Sequence, residues 1–119
     1  MSKYVAIVQG IYFIATGVWP LISLDTFQKV TGPKRDIWLV KTVGVVISVI
    51  GAAVLMAGVH GEYTPAIILL AVVSALGLAL IDIFYVMKRV IDPIYLGDAL
   101  IETVLIAWWA AKLAQLAEL

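Results

Sequence analysis

The chain has 119 residues, enough for a single domain over 1–119. Hydrophobic residues make up 64% and charged residues 13%, against roughly 45–50% and about 25% in soluble domains. A formal net charge of zero leaves no basic surface for nucleic acid, and the absence of cysteine with a single histidine, His60, excludes disulfides, thiol catalysis and thiolate or multi-histidine metal sites.

A helix that crosses the roughly 30 Å hydrocarbon core needs about 20 apolar residues. Four stretches meet that length, over about 4–24, 37–59, 65–87 and 93–116. The predicted fold is therefore all-α, a membrane-embedded four-transmembrane-helix bundle whose first partner is the lipid bilayer. Lys3 precedes the first apolar run much as the basic region of a signal peptide would. That run is too long for a signal core and no small-x-small site follows it, so it is read as a helix of the mature protein.

Between the first two spans lies Ser23-Leu-Asp-Thr-Phe-Gln-Lys-Val-Thr-Gly-Pro33. Leu24, Phe27 and Val30 are spaced for one helical face, and Gly32-Pro33 is a stop signal. The segment is read as a short amphipathic helix lying in the membrane interface, with an irregular loop as the alternative. Asp36 is placed to cap the second span. Thr64-Pro65 and Asp92-Pro93 each read as an N-cap followed by proline in the first helical position, where its missing N–H costs nothing.

Without a hydrophobic drive in lipid, helices need small residues at their contacts. Gly10 and Gly17 on the first span, Gly44, Ser48 and Ala52 on the second, and Ala71, Ala75 and Ala79 on the third supply candidate inward faces. Those faces serve packing within one bundle, or alternatively a homodimer interface.

Four spans would put both termini on one side and the 25–36 and 88–92 connections on the other. The connection side carries Lys29, Lys34, Arg35, Lys41, Lys88 and Arg89, against Lys3 and Lys112 on the terminal side. This bias places the connections in the cytoplasm and the termini outside a cell membrane.

Four ionisable residues fall inside the spans. Counting a 1.5 Å rise per residue, Lys41, Asp82 and Asp98 lie roughly 9–10 Å from their span midpoints, and Glu102 roughly 4–5 Å. All are displaced toward the cytoplasmic side, and each costs about 2.5–3.5 kcal/mol to insert near a helix centre. They are expected to face partners or water. Asp82 shares the Ala75 and Ala79 face, Lys41 shares the face of Gly44 and Ser48, and Asp98 and Glu102 are one turn apart on a face that continues to Trp109. Tyr85 and Arg89 extend the Asp82 face. Gln9, Tyr12 and Thr16, with Trp38, Tyr95 and Trp109, are expected to line the resulting pocket.

Three acids against one lysine leave an excess of negative charge even if Arg89 reaches inward. A bound proton, a cation or a cationic group of a ligand must offset it. The leading expectation is therefore a binding or transport protein for a small cationic molecule or proton, with no metal site and no cofactor; a transport path through so short a chain calls for a dimer. A structural subunit, whose Lys41–Asp82 or Lys41–Glu102 pair only fixes helix order, is the first alternative. A membrane-embedded acid–base enzyme acting on a lipid-like substrate through Asp98 or Glu102 is the second, ranked last because no nucleophile pair accompanies the acids.

The stretch Ile81-Asp-Ile-Phe-Tyr-Val-Met-Lys-Arg-Val-Ile-Asp-Pro-Ile-Tyr-Leu-Gly-Asp-Ala-Leu-Ile-Glu102, together with Thr31-Gly-Pro-Lys-Arg-Asp-Ile-Trp-Leu-Val40, resembles a pattern in small uncharacterised bacterial four-helix integral membrane proteins. The resemblance covers about a quarter of the chain. It implies a fold and no activity.

Overall fold

The computed structural model describes residues 2–117, with side chains for 3–115. Met1, Glu118 and Leu119, the ends of the predicted 1–119 domain, lie outside the described residues. The described chain is all-α: α1 (Ser2–Ile22), α2 (Leu24–Thr31), α3 (Ile37–His60), α4 (Pro65–Met87) and α5 (Tyr95–Ala117). Three helices, Lys3–Ile22 within α1, α3 and α4, are long and apolar enough to cross a membrane. The fourth, α5, is as long as α4 but is interrupted by Asp98, Glu102 and Lys112.

Local chemistry fixes the helix boundaries. α1 stops earlier than its apolar run implies. Pro20 occupies its last turn, and at Ser23 the backbone leaves helical geometry. Trp19 Nε1 donates to Thr26 Oγ1 at 2.9 Å, Thr26 Oγ1 lies 2.8 Å from Ser23 Oγ, and the Trp19 and Phe27 rings meet edge to face. This corner folds α2 back under α1. α2 turns Leu24, Phe27 and Thr31 inward and Asp25 and Lys29 outward; Val30 stays exposed.

Thr64 caps α4 by accepting from the Ile67 N–H, with Pro65 at the first position, as its residue types predict. Asp36 stands at the start of α3 but makes no side-chain cap bond. The start of α5 also differs from the Asp92-Pro93 reading. Asp92 Oδ1 accepts from the Ile94 N–H, and Pro93-Ile94 form a turn, so the helix begins at Tyr95. α3 ends with Gly61 in the left-handed region (φ 69°), and the Glu62 N–H returns to the Ala57 carbonyl at 2.8 Å. That conformation is cheap for glycine. α4 ends in the same way, with the Val90 N–H bonded to the Tyr85 carbonyl, yet the left-handed position is taken by Arg89 (φ 60°). A side chain there costs on the order of 1–2 kcal/mol.

α1 packs chiefly against α3, and α4 against α5. The α1–α3 seam is built from glycine. A methyl group on Gly10 would fall 2.8 Å from the Gly51 carbonyl oxygen, and one on Gly17 would fall 2.6 Å from that of Gly44. At the far end, one on Gly58 would sit 2.8 Å from Ala6 Cβ. The glycines recur every seven residues, at 10 and 17 on α1 and at 44, 51 and 58 on the antiparallel α3, so side chains larger than hydrogen would push the backbones apart. Ala52 does not belong to this seam and is exposed. With 3.6 residues per turn, a strict four-residue spacing rotates about 40° per step, and Ala52 lands about 80° from Gly44. Gly51 takes its place. On α4 the Ala71, Ala75 and Ala79 stripe is buried and leads to Asp82.

The two helix pairs close on each other at the end that holds the first turns of α1 and the later turns of α5. Val5, Ala6, Val54, Ala71, Leu105 and Trp109 form the core there. Gln9 is fully buried in it. Its Nε2 donates to the Ala71 carbonyl at 2.8 Å, and its Oε1 accepts from Trp109 Nε1 at 2.6 Å. One amide thus joins α1, α4 and α5. At the opposite end the pairs part, and α2 borders the space between them.

Candidate functional site

The space between the helix pairs is a cavity of about 550 Å³, within the range of small-molecule sites. Its walls are apolar, supplied by Phe13 and Gly17 of α1, Val43 and Ile47 of α3, and Leu78 of α4. Phe27 of α2 and Tyr95 of α5 stand toward its mouth, and three carboxyl groups enter it: Asp82 from α4, and Asp98 and Glu102 from α5.

Each acid is positioned by the face that carries it. Asp82 continues the buried alanine stripe one turn beyond Ala79 and is 6% exposed. Glu102 lies one turn above the buried Leu105 and is 1% exposed. Asp98, one turn toward the mouth, is half-buried and has Asp82 and Glu102 as its neighbours. The Tyr12 hydroxyl donates to Asp98 Oδ1, which ties α1 to α5 across the cavity.

Asp82 Oδ2 and Glu102 Oε1 are buried and have no hydrogen-bond partner. Buried polar atoms are nearly always partnered, and leaving one unmet costs about 1–3 kcal/mol, more when it is charged. Two such atoms in one cavity, each on a carboxyl that neighbours Asp98, are acceptors still open to a donor. They can accept from an ammonium or hold a proton. Among the described residues no group of three or more histidine, cysteine or acidic side chains is arranged to hold a metal ion.

The residues singled out in the sequence divide between three places. Asp82, Asp98, Glu102, Tyr12, Thr16 and Tyr95 line this cavity. Thr16 spends its hydroxyl on its own helix, donating to the Tyr12 carbonyl at 2.9 Å. Gln9 and Trp109 belong instead to the packed end and seal the cavity rather than line it. Lys41, Trp38, Tyr85 and Arg89 stand apart from the acids.

Lys41 is exposed, so it does not pair with Asp82 or Glu102. It sits three residues before Gly44, about 60° around the helix from the glycine seam. The level of Lys41 is also where α1 runs out at Pro20–Ile22, leaving it no helix to face. Trp38, one turn nearer the helix start, is 67% exposed for the same reason. Tyr85 is exposed, its ring edge-on to Phe84. Arg89, displaced by its left-handed backbone, lines a separate cleft between the 31–35 and 89–92 connections.

The cation that does approach the cavity is Lys34. Its Nζ lies 5.1 Å from the centre of the Tyr95 ring and 5.9 Å from that of Phe27. It donates to the carbonyls of Thr31 at 2.9 Å and Gly32 at 3.2 Å, and the side chain borders both the acid cavity and the loop cleft. The Lys34 backbone N–H donates to Gln28 Oε1, which fixes the turn that aims it. Lys34 follows Gly32-Pro33 in a connection and so carries no helical period from which its direction could be read.

These features define a helical protein with three helices able to cross a membrane and an acid-bearing, otherwise apolar cavity between its helix pairs. Comparison with family models, with curated proteins and with solved structures finds no match for this chain.

Proposed function

We propose that this chain is a multi-pass membrane protein whose acid-lined pocket binds or carries a small cationic molecule or a proton. The observation that carries this reading is the pair of buried, unpartnered carboxyl oxygens, Asp82 Oδ2 and Glu102 Oε1, in one cavity. A lock that merely fixed helix order would be expected to pair its charges. Here the lysine available for such a lock, Lys41, faces outward.

In this reading α5 is a fourth span. Its 23 residues extend about 34 Å at 1.5 Å per residue, enough for the hydrocarbon core. Its two acids turn toward the cavity, so the helix hides the charges that lower its hydropathy. Four spans place Lys29, Lys34, Arg35, Lys41, Lys88 and Arg89 on the side of the cavity mouth, which the positive-inside rule assigns to the cytoplasm, with both termini outside. Carriage across the membrane requires a route past the Gln9 crosslink, and a homodimer is the arrangement proposed to supply it.

The test is a thermal-shift series on the purified protein across amines and pH, beside Glu102→Gln. A ligand at 100 times its dissociation constant adds about 2.7 kcal/mol of stability. The expected result is an amine- or pH-dependent rise in midpoint that is absent in the variant. A midpoint indifferent to every amine and to pH would sink the proposal.

A further inference from the structure

Resting on the reading above, the geometry points to an amphiphilic organic ammonium ion as the ligand, an alkyl- or aryl-bodied amine for which Lys34 is a tethered competitor. Three features of the cavity select this class. Its volume far exceeds what a proton or a desolvated inorganic ion needs, and its walls are hydrocarbon and aromatic. Such walls reward an apolar body and leave a polyhydroxylated amine without partners. The acceptors are in place: Asp82 Oδ2 and Glu102 Oε1 lack donors, and a primary ammonium carries three.

The mouth supplies the second, independent observation. There the chain already holds an ammonium group, that of Lys34, against the rings of Phe27 and Tyr95 and two backbone carbonyls. Aromatic faces with carbonyl oxygens are the chemistry that recognises an ammonium, worth about 0.5–2 kcal/mol in the ring contacts alone. Lys34 cannot follow its charge down to Glu102, because its stem is anchored in the 32–36 connection. A free amine can. Its ammonium would exchange for that of Lys34 at the rings and then reach the carboxyls, with its hydrocarbon body left along Phe13, Val43, Ile47 and Leu78. Displaced, Lys34 would swing into the neighbouring cleft that it also borders.

The experiment is equilibrium binding to the full chain in lipid nanodiscs. 4-Phenylbutylammonium is the probe, ethylammonium and sodium are the comparators, and protein-free discs of the same lipid correct for partition into lipid. Proton release or uptake is followed with an indicator dye in the same samples. Saturable binding of 4-phenylbutylammonium is expected, weakened at least tenfold in Glu102→Gln. Lys34→Gln is expected to tighten it by roughly tenfold, since the lost competitor contributes on the order of 1.4 kcal/mol, and Lys34→Arg is expected to leave it near the wild-type value. Weaker binding in Lys34→Gln would overturn the inference. So would binding of ethylammonium or sodium, or Glu102-dependent proton exchange, without binding of the aryl amine; those results would leave the proposed function standing. No saturable ligand and no Glu102-dependent proton exchange would overturn both.

Discussion

Glu102→Met separates a site from a lock most directly. Glu102 is 1% exposed, stands one turn from the core residue Leu105, and presents a carboxyl oxygen with no partner. Methionine has a similar shape and no hydrogen-bonding demand. Removing the unmet group should return its desolvation cost, about 1–3 kcal/mol. The variant is therefore expected to be more stable than the native protein by that amount, and to lose ligand binding. The measurement is reversible unfolding in mixed micelles, read by tryptophan fluorescence; Trp109 lies in the core beside the site and reports on it. A lock predicts the opposite sign, because breaking a buried ion pair costs about 3–5 kcal/mol. A fall in stability on Glu102→Met would refute the claim that this carboxyl is held in place for a ligand.

Other perturbations probe the frame around the site. Gly17→Leu should force α1 away from the Gly44 carbonyl and destabilise the protein by about 1–3 kcal/mol, seen in the same unfolding assay. Trp109→Phe should cost about 1–3 kcal/mol by stranding Gln9 Oε1 without its donor, and opening of the sealed end would appear as faster amide exchange around Ala71. Arg89→Gly should raise stability by up to about 1 kcal/mol, since glycine tolerates the left-handed backbone at that position. The native chain has no cysteine, so single cysteines at Arg35 and Glu62 report sidedness cleanly. A membrane-impermeant maleimide added to intact cells is expected to label Glu62→Cys and spare Arg35→Cys.

The helices and one of their three predicted caps were legible because they depend on local chemistry, whereas Asp36 and Asp92-Pro93 do not cap as their residue types suggested. Length, the Thr64-Pro65 cap and the amphipathic spacing of 24–31 are properties of adjacent residues. The carboxyl cluster was legible for a related reason: Asp82 lies in line with Ala75 and Ala79, while Asp98, Glu102, Leu105 and Trp109 keep one face over three turns. Ala52 was misplaced because a four-residue spacing followed for two steps drifts off a seam that repeats every seven, and Lys41 because three residues leave it about 60° from Gly44 at the level where α1 ends. Gln9 and Trp109 were selected as polar lining, and their mutual hydrogen bond, which could not be read from either helix alone, turns them into a seal. Lys34 escaped notice because nothing periodic governs a connection. Its position depends on Gln28, Phe27 and Tyr95, which come from two different helices.

The single buried amide of Gln9 has a consequence for traffic. It staples α1, α4 and α5 together at the packed end, next to the acid cavity. On the proposed reading, a solute bound beside the carboxyls would leave by the side it entered for as long as that staple held. Passage from one compartment to the other demands that the staple open, at the cost of two buried hydrogen bonds, before the far exit exists.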